Sequence, residues 1–497
     1  MRFSTLQVLG VAIGRVVLAL EEGDADVMYN GFNDAFLMTS GDDVYYKLAL
    51  NNGDPDESWR GSLDILGVTD VYERTGNPDL KEFINSLLTT WLTSTCPPPW
   101  DWDGWNDDLG WFTLTLVRGY QITLNQTYLD QAKSGFDYAF QRGWDTQYND
   151  GGIWEENPEY VAKEDPPGTP RKEALSNDSL GKVACYIYQA TNDRDYLDKA
   201  VQIYDWVRTH LFNEDTGQIN TAVYEDGSVD TSAATYSQGT WLDYANLLYM
   251  ITGEEKYYDD AIKTIEFARY NITDDGIFND DEPGRGVGHF VQNNQLWDTY
   301  YSWMVYNADT ILKNRRSNLN ITWFQWDQPT PDDDDTIEPN DAVGAMVWLQ
   351  HTPATQPNEV GGRHVITNNM TGLAVDSNGA YGNGNGVIQW ALDWNPNQRW
   401  ILTQNSDDGS WNLVNIATWQ ALDCPDGSDE DGLQMFQWEC NRDPSQRWLI
   451  DQQDDGTYKI TNQESGMVLD GGSNSTNGAA LIQSSWNGGS AQRWILG

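Results

Sequence analysis

The sequence predicts a chain in two parts, an all-α array of helix pairs followed by a smaller all-β module. Three observations carry that reading. Over residues 25–351 a loose repeat of helix stops and helix starts recurs. After residue 360 the chain turns to Gly, Asn, Asp, Gln and Trp in short alternating runs, the pattern of strands joined by turns. Within that second part Gln-Arg-Trp occurs three times, at Gln398-Arg399-Trp400, Gln446-Arg447-Trp448 and Gln492-Arg493-Trp494, at intervals of 48 and 46 residues.

At 497 residues the chain has room for two or three domains. Its 24 Trp, 25 Tyr and 13 Phe supply large apolar side chains for packed cores, which excludes wholesale disorder. The formal charge of −47 repels nucleic acid and anionic membranes, because phosphate binding needs clustered Lys and Arg. It suits a neutral partner such as an uncharged polysaccharide, or simply a solubilising surface.

The N-terminus begins Met1-Arg2-Phe3-Ser4 and continues with an apolar stretch from Leu6 to Leu20, interrupted by Arg15. This predicts a signal peptide over residues 1–20, with Val17-Leu18-Ala19 before the cleavage point. No later apolar run reaches the roughly 20 residues that span a bilayer, and the end at Gln492–Gly497 lacks a lipid-anchor tail. A secreted monomer without a membrane anchor is expected. Six Asn-x-Ser/Thr acceptors, at Asn125, Asn177, Asn271, Asn320, Asn369 and Asn474, agree with secretion, with Asn177 expected to be enclosed. The four Cys fit an oxidising compartment; Cys424 with Cys440 is the expected pair, and the sequence leaves open whether Cys96 and Cys185 form a second. Neither Cys nor His spacing suggests a zinc site, so no metal and no cofactor is expected.

The helical part shows its punctuation at Thr75-Gly76-Asn77, Thr123-Leu124-Asn125, Thr191-Asn192-Asp193 and Thr252-Gly253-Glu254. Three of these precede similar starts, Tyr128-Leu129-Asp130-x-Ala132, Tyr196-Leu197-Asp198-x-Ala200 and Tyr257-Tyr258-Asp259-x-Ala261. Gly or Asn at a stop and acids in the next first turn are what helix termini require. Repeated αα-hairpins predict a toroid or a solenoid. The acidic run Asp332–Asp335 is read as a loop before one more apolar helix, Asp341–Leu349, and the polar, Pro-bearing stretch 352–360 as the linker.

The chemistry centres on Trp102-Asp103-Gly104-Trp105-Asn106-Asp107-Asp108-Leu109-Gly110-Trp111. Leu109, Phe112, Leu116 and Tyr120 then recur at helical spacing, which puts Asp107 and Asp108 at a helix N-terminus. Asp and Asn favour that place as caps. The indoles on both sides suggest more, since adjacent helical side chains diverge by about 100° and can flank a sugar ring whose apolar face rests on Trp. Retaining glycosidases place two carboxyls about 5–5.5 Å apart, one as nucleophile and one as acid/base.

Asn106-Asp107-Asp108, Trp111 and Leu116-Val117-Arg118-Gly119-Tyr120 resemble the catalytic signature of glycoside hydrolase family 76, endo-α-1,6-mannanases and wall transglycosidases built on an (α/α)6 barrel. Gly151-Gly152-Ile153-Trp154, Lys172 through Ser176-Asn177, and Tyr236-Ser237-Gln238-Gly239 resemble its further motifs in order. The resemblance selects the toroid over residues 21–351. It implies Asp107 as nucleophile, Asp108 as acid/base, and Trp105, Asn106, Trp111, Trp154, Asn177 and Gln238 beside the sugar; packing and capping are the alternative for each of the latter. Two departures stand out. Glu155 follows Gly-Gly-Ile-Trp where the family commonly has an aromatic, and His289–Asn294 stands where it usually has Phe-Lys-Gly.

The triplicate, with Asp376, Asp423 and Asp470 at intervals of 47 residues, resembles the ricin-type β-trefoil lectin, or carbohydrate-binding module family 13, over residues 361–497. Its Gln-x-Trp is structural. The resemblance implies sugar sites at Asp376, Trp390 and Asn397 and at Asp423 and Trp438, with a third repeat weakened by Ser484 and Ala491, although Trp486 lies two residues on. The expected function is a secreted endo-α-1,6-mannan hydrolase anchored by a lectin module; a transglycosidase or a silent glycan-binding protein is the alternative.

Overall fold

The computed structural model describes residues 20–497 except 57, 164–167, 279–283, 358–359, 381, 394, 406–407 and 442. The expected signal peptide, Leu20 apart, lies outside the described residues, as does part of the expected linker. The helices are α1 (Asp24–Phe36), α2 (Ser58–Thr75), α3 (Asp79–Thr90), α4 (Asn106–Thr123), α5 (Gln126–Gly143), the single turn α6 (Pro158–Val161), α7 (Ala174–Thr191), α8 (Arg194–His210), α9 (Thr235–Thr252), α10 (Glu255–Asn271), α11 (Gly284–Asn293), α12 (Trp297–Asn314) and α13 (Pro339–Gln350).

Six of them form an inner ring. α2, α4, α7, α9, α11 and α13 pack in that order, and α13 returns onto α2 to close it. Their surfaces are buried nearly all round, as α4, α7 and α9 show. The outer helices bury one stripe, such as Tyr196, Leu197, Ala200, Ile203, Tyr204 and Val207 on α8. This is an (α/α)6 barrel. The recurring Thr of the sequence repeat explains the corners that follow α4, α7 and α9. The hydroxyls of Thr123, Thr191 and Thr252 donate to the carbonyls of Gly119, Ile187 and Leu248 and accept the N–H of Asn125, Asp193 and Glu254. Leu124, Asn192 and Gly253 then turn the chain through a left-handed conformation.

Inner helices run parallel, so their N-termini share one rim. Gly110 near the start of α4 lies so close to Ser179 near the start of α7 that an added Cβ would fall 2.1 Å from its Oγ. Arg60 in the first turn of α2 meets Glu338, the N-cap of α13, at 2.8 Å. The acidic run before α13 is a loop tied to the first hairpin, with Asn51 N–H donating to Asp335 O at 2.9 Å.

Strands from Gly362–Asn368 to Trp494–Leu496 build the trefoil. Trp400, Trp448 and Trp494 are wholly buried at its centre, and their indole N–H groups donate to Val375, Leu422 and Leu469 carbonyls at 3.0–3.1 Å. Gln398, Gln446 and Gln492 each donate to the early Asp of their repeat, at 3.2, 2.9 and 2.9 Å. The Gln of each motif therefore orients the Asp implied for sugar.

The trefoil docks on the C-terminal rim of the inner ring. Arg399 donates to Met250 O at the end of α9, Tyr72 near the end of α2 donates to Cys440 O, and Gln292 in the last turn of α11 reaches Thr403. Arg447 and Arg493 instead pair with Asp408 and Asp455 within the trefoil. No disulfide joins Cys424 to Cys440 or Cys96 to Cys185. The Cys424 thiol is buried against Gln483 Oε1 at 3.2 Å, and Cys185 is wholly buried within α7. Among the described residues no helix is long and apolar enough to cross a membrane.

Candidate active site

Asp107 and Asp108 occupy the first turn of α4, on the N-terminal rim. Arg142 holds the approach to that turn. Its guanidinium donates to the carbonyls of Asp103 and Trp105 at 2.6 and 3.0 Å and to Asn106 Oδ1 at 2.7 Å. Asn106 is wholly buried, and its amide donates to Trp154 O at 2.7 Å. It stitches the helix start to the segment around Glu155 and has no path to a sugar.

Both carboxyls are pushed upward. Burial raises Asp107 to about 7, helped by Glu155 and Asp103 and opposed by the N–H groups of Asp107 and Asp108. Burial raises Asp108 further, to about 9, with added pressure from Asp107 and Asp103; its proton is shared with the Asp103 carboxyl. Asp107 Oδ1 is buried without a hydrogen-bond partner. Unequal surroundings thus split two adjacent acids: Asp107 ionises first while Asp108 keeps its proton, the division that acid-assisted nucleophilic attack needs.

A further carboxyl layer surrounds the pair. Glu155 is bound in a fork by Arg171, with Nη2 to Oε1 at 2.8 Å and Nε to Oε2. Glu173 is pushed up to about 9 by burial, Glu155 and Asp107, against the pull of Arg171, and Tyr236 reaches its Oε1 at 3.5 Å. Beside them Trp105, Glu155, Glu156, Arg171 and Tyr224 line a cavity of about 310 Å³. Trp105 is 40 % exposed there.

The other expected sugar contacts are elsewhere. Trp111 is core, packed within the barrel interior. Trp154 is buried beneath Lys172, whose Nζ lies 4.7 Å from the ring. Asn177 is wholly enclosed; its Oδ1 accepts Ile153 N–H at 2.8 Å and its Nδ2 donates to Ile153 and Glu173 carbonyls. Gln238 does the same for Ile219, accepting its N–H at 2.9 Å and donating to its carbonyl at 2.7 Å. These two amides pin the loops that cross the rim, so their place beside the sugar is corrected to a clamp. Lys172 serves likewise, donating to the Asp145, Tyr148 and Gly151 carbonyls. Asp103, Glu155, Glu173 and Arg171 were not singled out for chemistry by the sequence. Glu155 alone gave a signal, as a charge where an aromatic was expected.

In the trefoil, Trp390 and Trp438 stand 38 % and 39 % exposed. The loop at Gly478 faces Trp390 and the loop at Gly384 faces Trp438, so each site is completed by a neighbouring repeat. Asn477 accepts Ala391 N–H and Asn383 accepts Glu439 N–H, both at 2.8 Å; Asp431 takes that place in the third repeat, toward Ser485. Asp376 Oδ1 also accepts Asn378 N–H, whereas Pro425 removes that donor beside Asp423. Asn397 shapes the first site, its Oδ1 meeting Ser377 Oγ at 3.3 Å. Trp486 is exposed too, but Lys459 and Arg493 crowd its ring.

A helical barrel with a split carboxyl pair at its inner-helix N-termini, joined to a trefoil, defines a helical-barrel glycoside hydrolase with a lectin-like module. The sequence model for glycosyl hydrolase family 76 matches residues 33–326, more than half the chain, and the chain belongs to that family. The ricin-type beta-trefoil lectin domain-like model matches residues 348–438, 397–484 and 444–497. A Schizosaccharomyces pombe protein named "Putative mannan endo-1,6-alpha-mannosidase" is 24 % identical over 192 residues, 37 % of this chain and 41 % of that one. The matched segment thus spans about two fifths of that relative's length. Among solved structures, the α-1,6-mannanase of Salegentibacter sp. HEL1_6, as an inactive variant with two neighbouring aspartates changed to alanine and in complex with alpha-1,6-mannotetrose, superposes with a TM-score of 0.57. It has 20 % identity and covers 66 % of this chain and 97 % of its own. A GH76 α-mannanase of Bacteroides thetaiotaomicron gives 0.54 at 19 % identity, covering 67 % and 94 %. These likenesses define the fold.

Proposed function

We propose that this chain is a secreted, retaining glycoside hydrolase that cleaves internal α-1,6-mannosidic bonds of mannan and is held to polysaccharide by its trefoil. The observation that carries the reading is the split pair: Asp107 ionises near pH 7 and Asp108 keeps a proton to about 9 on one helix turn. The neighbouring mannanase that is inactive without two adjacent aspartates supports giving the same task to this pair. Asp107 attacks the anomeric carbon as Asp108 passes its proton to the leaving oxygen, forming a glycosyl ester on Asp107. Asp108, now ionised, takes a proton from water, which attacks the same carbon and releases Asp107 with the configuration retained. Trp105 on the cavity rim offers a face for the neighbouring sugar. The test is digestion of linear α-1,6-mannan with product sizing and proton NMR of fresh product. Short oligomannosides with retained configuration are expected; cleavage of another neutral glycan instead, or inversion, would refute the substrate or the mechanism respectively.

A further inference from the structure

The lower half of the barrel holds a polar cluster that the reaction does not use. Asp70 and Glu73, three residues apart, face inward from α2; His289 projects from α11; His351 follows α13. One ligand atom from each lies within 4.8 Å of all the others. We propose that these four side chains bind a divalent transition-metal ion of the zinc class.

The donor set fits. Two imidazole nitrogens and two carboxylate oxygens suit a four-coordinate late first-row ion better than calcium, which takes six to eight oxygens. Bonds of about 2.0–2.2 Å require tetrahedral ligand atoms roughly 3.3 Å apart. His289 Nε2 lies 3.0 Å from Glu73 Oε2, and His351 Nε2 lies 3.2 Å from Asp70 Oδ1. These two pairs would open slightly, and the wider pairs of the set, which spans up to 4.8 Å, would close in to hold an ion.

The surrounding shell is arranged as metal ligands require. His289 Nδ1 meets Asp243 Oδ1 at 2.9 Å, the carboxylate–imidazole link that fixes a ligating tautomer and leaves Nε2 for a metal. Lys182 holds the other Asp243 oxygen at 2.7 Å. Arg285 orients Asp70, and Arg118 orients Glu73 through Oε1. His289 faces a carboxylate oxygen from each nitrogen, and a cation between Nε2 and Glu73 would replace the second of these contacts. The Glu73 and His289 side chains are 30 % and 14 % exposed, which supplies an entry path beside the docked trefoil. The two guanidiniums also oppose an incoming cation, so affinity is expected below that of a site without them.

The test uses the full chain stripped with a chelator. Titration with cobalt(II) is expected to give the intense visible bands of four-coordinate cobalt, saturating at one equivalent and displaced by zinc. Glu73→Gln and His289→Gln should abolish them, while His210→Gln, outside the cluster, should not. Because a buried variant can fail to fold, the unmodified chain is also heated with zinc and with calcium: zinc should raise Tm and calcium should not. A cobalt spectrum unchanged from the aquo ion, with no zinc retained on equilibrium dialysis, would overturn the proposal and leave a charge-compensated ion-pair network.

Discussion

Asp103→Asn isolates one of the causes, after burial and Asp107, that keep Asp108 protonated. Asp103 Oδ1 accepts the N–H of Trp105 at 2.8 Å, and asparagine retains that oxygen, so the loop before α4 should hold its shape. What changes is charge. Two like charges about 4 Å apart at an effective dielectric near 20 repel by about 4 kcal/mol, and one pKa unit is 1.36 kcal/mol. The repulsion figure is a ceiling, because burial and Asp107 outrank Asp103 among the causes of the rise, and a fall of about one unit is expected. The new amide can also donate to an ionised Asp108, which pushes in the same direction. Asp108 works in its protonated form, so a lower pKa removes activity on the alkaline side. The assay is kcat/KM on α-1,6-mannan from pH 5 to pH 10, which reports the free enzyme's groups. Wild type should fall below about 7 as Asp107 protonates and above about 9 as Asp108 ionises. In the variant the alkaline limb should move down by about one unit, with Tm nearly unchanged. An alkaline limb that stays in place, or moves upward, in a folded variant would refute the shared-proton account.

Asp107→Asn and Asp108→Asn should each cut kcat by about 10²-fold or more, and losses below about tenfold in both would reduce the pair to a helix cap. Asp108→Asn should also stabilise the chain at neutral pH. A buried acid with a raised pKa binds its proton better folded than unfolded, so it costs stability increasingly from about pH 4 upward; three units at 1.36 kcal/mol cap the gain at about 4 kcal/mol at pH 7, read by urea unfolding. Asn177→Ala should destabilise by about 2–4 kcal/mol, because Ile153 loses partners for both backbone groups, while KM changes less than about twofold; a large KM effect at unchanged stability would return Asn177 to the sugar site. In affinity electrophoresis of the Asp107→Asn chain, Trp390→Ala with Trp438→Ala should lose retardation by polysaccharide, about a tenfold weakening each, and Asp470→Ala should not; loss with Asp470→Ala alone would show that the third repeat carries the binding.

The barrel was legible because its corners are local chemistry. A Thr that bonds back four residues and forward two, followed by a left-handed residue and an acidic start, is written in three or four consecutive positions. The trefoil was legible because each core Trp and its Gln repeat at near-constant spacing. The carboxyl layer was not, since Glu155 and Glu173 come from later segments that backbone pairing sets against the start of α4, and Asp103, though four residues before Asp107, carries no local sign of facing it. The amides were misread for the opposite reason. Asn177 and Gln238 sit in motifs next to the chemistry, but sequence does not say which way a side chain faces, and both turn inward to hold loops. The two histidines of the barrel base escaped notice because 289 and 351 lie on different helices and share no local spacing with Asp70 and Glu73.

The parallel inner ring separates the two carbohydrate-facing functions proposed for this chain by the length of the barrel. Every inner N-terminus lies on the rim that carries Asp107 and Asp108, where free N–H groups and the helix dipole favour an ionised nucleophile. Every inner C-terminus lies on the other, where exposed carbonyls call for donors, and the trefoil supplies them through Arg399 to Met250 and the end of α9. Arg399 is the one Gln-Arg-Trp arginine spent in this way; its counterparts Arg447 and Arg493 stay paired with aspartates inside the trefoil. The module is therefore seated by a broken symmetry, and that seat fixes its sites away from the catalytic rim. A polymer held at Trp390 or Trp438 is not thereby threaded past Asp107. What the attachment raises is the effective concentration of neighbouring strands around the open rim, which favours attack within dense polysaccharide over processive movement along the bound chain.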